Sequence, residues 1–203
     1  MPDLFYKPED VTYDLAYPFQ TLTGFFAMHF TTDSYLEYKV ASKTWTDFTI
    51  IVWTHPGNVD ANTSPVVSVH QASNWNTGFA LYSAKGAVNK PYFWNNGGGI
   101  SRSFPNPAGL IDPSKWNHLT LKYVDSISVS GYINGTAVMN AGAGSASVQN
   151  NNYLNLDTIT IGRWDIDRFR GHMAQLVIYD RGLTDNEIIE DLSKSQEWSA
   201  PYC

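Results

Sequence analysis

Apolar and polar residues alternate with a period of two along most of this chain, in short runs closed by Gly, Pro, Asn or Asp, and helical periodicity shows only once. That pattern admits few folds. Segments 25–30, 35–40, 48–53, 66–70, 78–83, 92–94, 100–104, 116–124, 127–133, 136–138, 158–161 and 173–179 read as strands, with no βα alternation between them. Ile133-Asn134-Gly135-Thr136 is the clearest turn, because the tightest hairpin needs positive φ at both central positions and Asn-Gly accepts it. Each strand has an apolar face to bury, so the expected fold is all-β: an antiparallel two-sheet sandwich.

The helix lies near the C-terminus. Thr184 can cap it, Glu187 can reach back to the cap's backbone, and Leu183 can staple to Ile188, which predicts a helix of about two to three turns from residue 185 to 194. Residues 1–24 set Pro2, Pro8 and Pro18 among Phe5, Tyr6, Tyr13, Tyr17 and Phe19. This suits an extended arm packed on its own domain or on a neighbour, with residues 25–203 as the domain. Residues 140–152, rich in Asn, Gly, Ala and Ser, read as a long polar loop. Asn95-Asn96-Gly97-Gly98-Gly99 leads into alternating residues and Pro105 instead of a helix N-terminus, so it reads as a hairpin loop and not a phosphate cradle.

At 203 residues one domain suffices. Such a domain buries roughly 70% of its unfolded surface without staples, as it must here, because the only cysteine is Cys203. The net charge of -6, with no basic cluster, removes the main source of nucleic-acid affinity. No stretch is apolar enough to enter a membrane as a helix, and the opening residues Met1 to Lys7 show no signal peptide. The unusual quantity is aromatic: 7 Trp, 12 Tyr and 10 Phe, in a chain that is only 16% charged. Such rings either fill a β core or face outward, where sugars can stack on them.

Taken in order, Trp116-Asn117-His118, Tyr132-Ile133-Asn134-Gly135, Ile161-Gly162, Phe169-Arg170-Gly171, Tyr179-Asp180 and Leu183-Thr184-Asp185-Asn186-Glu187-Ile188 resemble the laminin G-like, concanavalin A-like lectin jelly rolls, with the pentraxins as relatives. No single motif is specific, but their order is. The resemblance covers residues 25 to 194 and implies a jelly-roll sandwich with one short C-terminal helix, in which His118 is a scaffold partner of Trp116. In these relatives calcium, when present, sits on rim loops. That implies Ca²⁺ as a cofactor here, with Asn74, Asn76, Asp165 and Asp167 as oxygen ligands. The plain alternative is solvated loop residues, with Asp167 paired to Arg168 or Arg170. Where relatives often carry Asp-Glu, this chain has Ala174-Gln175.

Glycan hydrolases and lyases also use this scaffold, and a retaining glycosidase needs two carboxyl groups about 5 to 5.5 Å apart. Glu37 stands alone in its strand, while Glu187, Glu190 and Glu197 belong to the helix and tail. No Gly-x-Ser-x-Gly elbow occurs. No catalytic residue is therefore expected. Trp75, Trp94 and Trp164 fall in or beside loops, unlike Trp45, Trp53 and Trp116, which read as core or strand-start residues. A ring beside an amide offers a sugar both a stacking face and hydrogen bonds, which makes Trp75, Asn76, Trp94 and Trp164 the candidate ligand-binding residues. The competing reading is that these rings plug the ends of the sandwich.

The expected function is a non-enzymatic binding or adhesion module on an extracellular or virion surface, with carbohydrate or a surface protein as partner. Two alternatives accompany it. One is a structural subunit of a larger assembly, such as a virion decoration or fibre protein, joined to other subunits through residues 1–24. The other is a glycan hydrolase or lyase.

Overall fold

The computed structural model describes residues 4–6, 11–14, 27–31, 33–56, 64–72, 74–84, 91–95, 102–103, 111–125, 128–142, 153 and 155–199. Along the chain run β1 (Leu4–Tyr6), β2 (Val11–Asp14), β3 (Ala27–Phe30), β4 (Leu36–Lys43), β5 (Asp47–Pro56), β6 (Ser64–Gln71), β7 (Asn74–Ala84), β8 (Tyr92–Asn95) and β9 (Arg102–Ser103). There follow β10 (Asn117–Val124), β11 (Ser128–Ile133), β12 (Thr136–Gly142), β13 (Leu156–Ile161), β14 (Arg163–Trp164), β15 (Asp167–Arg168), β16 (Gly171–Tyr179) and α1 (Asp185–Ser199). Sheet A has the order β1-β4-β13-β6-β7-β8-β9, and sheet B the order β12-β11-β10-β5-β16-β3-β2. Neighbours pair antiparallel throughout, so the expected jelly-roll sandwich is the fold.

Alternation assigns each strand's faces. Phe48, Ile50 and Val52 of β5 point into the main core, as do Val67 and Val69 of β6, Phe79 and Leu81 of β7 and Phe93 of β8. Across the sandwich Phe48 and Phe79 stack with ring centroids 4.2 Å apart and planes 9° apart, flanked by Tyr123, Tyr153 and Trp45. β5 reads as an almost unbroken apolar run because its other face is covered too. Ile51 packs with Leu183 and Ile188, and Trp53 with Leu192, so α1 lies on the outside of sheet B. Beneath the helix His118 is fully buried, its ring 5.1 Å from that of Trp53 and its Nε2 3.5 Å from Asp191 Oδ1. His118 is thus a scaffold residue, but the ring it meets is that of Trp53, while the expected partner Trp116 packs 5.8 Å from His55.

The local signals hold. Asn134 and Gly135 take φ of 50° and 75°, and Asn134 Oδ1 accepts a hydrogen bond from the His118 amide at 2.8 Å. At the helix start the Thr184 amide donates to Glu187 Oε2 at 2.7 Å and the Glu187 amide to Thr184 Oγ1 at 3.3 Å, the reciprocal cap expected of this spacing. The helix runs five residues beyond the expected end, to Ser199, and the hydroxyls of Ser193 and Ser195 donate back to the carbonyls of Ile189 and Leu192 within it. β5 continues through His55 and Pro56, and β7 begins at Asn74, so Asn74 and Trp75 belong to a strand and not to the loop expected over 71–77. From the arm, Leu4–Tyr6 adds an edge strand to sheet A and Val11–Asp14 adds one to sheet B. Of the polar loop 140–152, residues 140–142 extend β12, and residues 143–152 lie outside the described residues.

The cap generates a test. Glu187 is held down to about 2 by the Arg181 guanidinium and then by the amide and hydroxyl of Thr184. A carboxyl whose folded pKa is lowered stabilises the fold above its unfolded value, near 4.5, and that contribution fades as the pH falls toward 2. The urea midpoint of the protein should therefore decline across that acid window, and Glu187→Gln should make the decline shallower. Identical pH slopes in the two proteins would count against the cap.

Candidate functional site

The outer face of sheet A carries a second aromatic cluster, separate from the core. In β7 the alternation that sends Phe79 and Leu81 inward sends Ala80 and Tyr82 outward; in β8 Phe93 points in while Tyr92 and Trp94 point out. Trp164 covers these rings from above. It reaches them because Gly162, at the end of β13, has φ of +82° and turns the chain out of the sheet into the β14–β15 hairpin; a Cβ there would overlap the Phe30 ring. Ser68 Oγ fastens the hairpin to β6 by donating to the Arg163 carbonyl at 2.9 Å.

The structure brings together three of the four candidate ligand-binding residues. Trp94 and Trp164 lie 4.4 Å apart between centroids, Trp75 and Trp164 5.6 Å, and His70 packs 3.9 Å from Trp75. Trp164 is only 6% exposed and Tyr82 2%, so these rings form a floor, with Trp75 and Trp94 standing half-buried at its rim. The cluster covers the side of a sheet and not an end of the sandwich. Asn76 is in β7, though its side chain lies outside the described residues.

His70 joins the aromatic half of this face to a polar half. Its Nδ1 is 2.8 Å from the Gln71 carbonyl, which can only accept, so Nδ1 carries the proton and Nε2 accepts from Thr160 Oγ1 at 3.0 Å. Burial pushes its pKa down, against the Gln71 carbonyl and the charge of Glu37, so the ring is held neutral. Beyond it, Lys39 Nζ receives Glu37 at 3.1 Å and donates to Thr158 Oγ1 at 3.0 Å. Glu37 is thus ion-paired.

The hairpin also locates the candidate calcium ligands. Asp165 and Ile166 are its two turn residues, Asp165 being exposed with φ of 52°, while Asp167 pairs with Trp164 and accepts a hydrogen bond from the Tyr82 hydroxyl. Burial and then the Asp167 charge raise the Tyr82 pKa strongly. Asn74 sits at the start of β7, its carbonyl accepting from Thr77 Oγ1 at 2.8 Å. Two arginines share the hairpin: Arg163 Nε and Arg168 Nη1 both donate to the Asp165 carbonyl, at 3.0 and 2.6 Å. Among the described residues no three His, Cys, Asp or Glu side chains are grouped as a metal site. A turn flanked by two guanidinium groups is a poor fit for a cation needing six to eight oxygens.

Sequence reasoning missed Tyr35, Tyr82, Tyr92, His70 and Arg163 as members of this face. For Tyr92 the signal was present, since Tyr92-Phe93-Trp94 alternates and puts Tyr92 beside Trp94. Tyr35 and Arg163 meet only through the tertiary fold, the guanidinium 4.7 Å from the centre of the Tyr35 ring and 5.1 Å from that of Trp75.

Residues 30–189 match the family described as the concanavalin A-like lectin/glucanases superfamily. The chain belongs to that superfamily. Its name spans lectins and glucanases, and the similar solved structures are binding domains. This concanavalin A-like chain is similar to the binding domain of Paraclostridial Mosquitocidal Protein 1, with a TM-score of 0.69 and 14% identity over 96% of this chain and 48% of that one. It is similar to the binding domain of botulinum neurotoxin DC in complex with SialylT, with a TM-score of 0.68 and 16% identity over 95% of this chain and 46% of that one. The same toxin domain in complex with rat synaptotagmin II gives a TM-score of 0.66 at 14% identity over 95% and 47%. The superfamily member described here therefore spans about half the length of each, and at these identities the likeness is one of fold. No curated protein sequence matches it significantly.

Two outcomes follow from the geometry. Trp164→Ala should lower stability by about 3 kcal/mol or more, since it empties a buried ring position between Trp94, Trp75 and the two tyrosines. Chemical denaturation measures this. For His70 a lowered folded pKa means the unfolded chain takes up the proton first, so stability falls as the pH drops below about 6.5. His70→Gln should reduce that fall between pH 7.5 and 5.5, roughly the window set by the ordinary histidine range; an unaltered pH profile would refute the neutral buried ring.

Proposed function

We propose that this chain is a non-catalytic recognition module that binds carbohydrate on a cell or particle surface through the outer face of sheet A. One observation carries the reading: Trp75, Trp94 and Trp164, far apart in sequence, converge on one sheet face beside a strip of Thr, Lys and His side chains. A sugar ring needs an apolar surface for its C–H face and polar groups for its hydroxyls; the half-buried rings of Trp75 and Trp94 supply the first, and the part-exposed Lys39 and Glu37 at the far end of the strip the second. The rigid floor supports this, because Trp164, Tyr82 and Tyr92 fix the rim without ordering on binding. Membership of a superfamily named for lectins supports it, as do solved relatives described as binding domains, one of them in complex with SialylT.

Immobilised neutral and acidic oligosaccharides, with and without added Ca²⁺, test the reading. Trp75→Ala and Trp94→Ala should each weaken retention roughly five- to tenfold, the scale of one lost aromatic contact of about 1 kcal/mol, in conditions where each variant's denaturation curve shows it folded. No retention of any glycan by the parent protein, or unaltered retention by both variants, would sink it. Release of reducing sugar from the same panel would favour hydrolysis instead.

A further inference from the structure

The β14–β15 hairpin places two positive charges directly opposite each other, Arg163 paired with Arg168. Like charges at such a position repel, and a neighbouring carboxylate would relieve them. Here none does: among the described residues neither guanidinium has a carboxylate within ion-pair distance, and the hydrogen bonds they make go to carbonyl oxygens of Asp165 and Asp167. Burial and the adjacent Arg163 charge lower the Arg168 pKa, while Asp33 and Asp165 oppose this only through space. Arg168 Nε is itself buried without a hydrogen-bond partner. In a chain of net charge -6, this is a local positive pair.

Its position gives it a use. Arg163 is half-buried between the rings of Tyr35 and Trp75, and that sandwich fixes the plane of the guanidinium. Nε is spent on the Asp165 carbonyl, and among the described residues no hydrogen bond uses the terminal nitrogens, a fork of donors beside the rim of the tryptophan platform. We propose that Arg163, backed by Arg168, binds the acid group of an anionic sugar, a carboxylate or a sulfate, while the sugar ring lies against Trp75. An anion there answers the Arg163–Arg168 repulsion and accepts the unused donors together. This rests on the carbohydrate-binding reading of the same face and narrows it to acidic glycans.

The test uses the full chain and matched oligosaccharides that differ only in the acid group: a carboxylate-bearing glycan, a sulfated one, and the neutral counterpart of each. The parent protein should hold an acidic glycan roughly tenfold or more tightly than its neutral partner, a margin that shrinks as salt is raised. Whichever acidic member binds better identifies the source of the anion. Arg163→Gln should bring the acidic-to-neutral ratio close to one. Arg163→Lys, which keeps the charge but loses the planar fork, should give an intermediate ratio and carries the test where the Gln variant does not fold. Equal retention of acidic and neutral glycans by the parent protein, or an acidic preference untouched in both variants, overturns the inference and leaves the platform reading intact. Absence of all glycan binding defeats both.

Discussion

The stack of Phe48 on Phe79 fastens the two sheets, and everything on their outer faces depends on it. Phe48 belongs to the middle of sheet B and Phe79 to sheet A, so the parallel rings, with Tyr123, Tyr153 and Trp45 around them, set the spacing and relative rotation of the two layers. Once inward residues are committed to that core, period-two alternation leaves no freedom about the rest. Ile51 and Trp53 must face out on one side, Tyr82, Tyr92 and Trp94 on the other. Both outward faces are too apolar to be left to water.

The chain covers them by different means. Sheet B receives a helix whose Ile188 and Leu192 complete two small clusters, and whose start is fixed by Thr184, Glu187 and Arg181. Among the described residues sheet A receives a hairpin with a two-residue turn, which buries Trp164 and leaves Trp75 and Trp94 part exposed. A helix closes a face, and a short hairpin half closes it. The asymmetry explains why the candidate site is on sheet A, although the sequence is aromatic along both layers.

How much of this could be read beforehand depended on range. Local signals were legible because their physics is local: the Asn134-Gly135 turn, the Thr184 and Glu187 cap, the Leu183 and Ile188 staple and the alternation of β5 and β10 are each decided within a few residues. The candidate tryptophans lie together, yet not in the loops expected, since Trp75 belongs to a strand and Trp164 is a buried ring packed on a sheet face. What could not be read was adjacency. Arg163 meets Tyr35 only because Gly162 turns the chain back over the sheet, and Asp167 reaches the Tyr82 hydroxyl from a paired position while Asp165 sits in the exposed turn beside it. Such contacts come from the tertiary path of the chain, and spacing along the sequence carries no trace of them.

The β14–β15 hairpin is a two-stranded sheet of its own, joined to the sandwich through Gly162, the Ser68 hydroxyl and the return at Phe169, whose amide donates to the Gly162 carbonyl. It contributes no strand to either large sheet. Residues 163–168 therefore form an interchangeable cassette: their charge and the tip at Asp165 and Ile166 can be rewritten while Trp164 is kept, without altering one rung of the ladders beneath. On such a scaffold the charge of the hairpin can change while the architecture stands still.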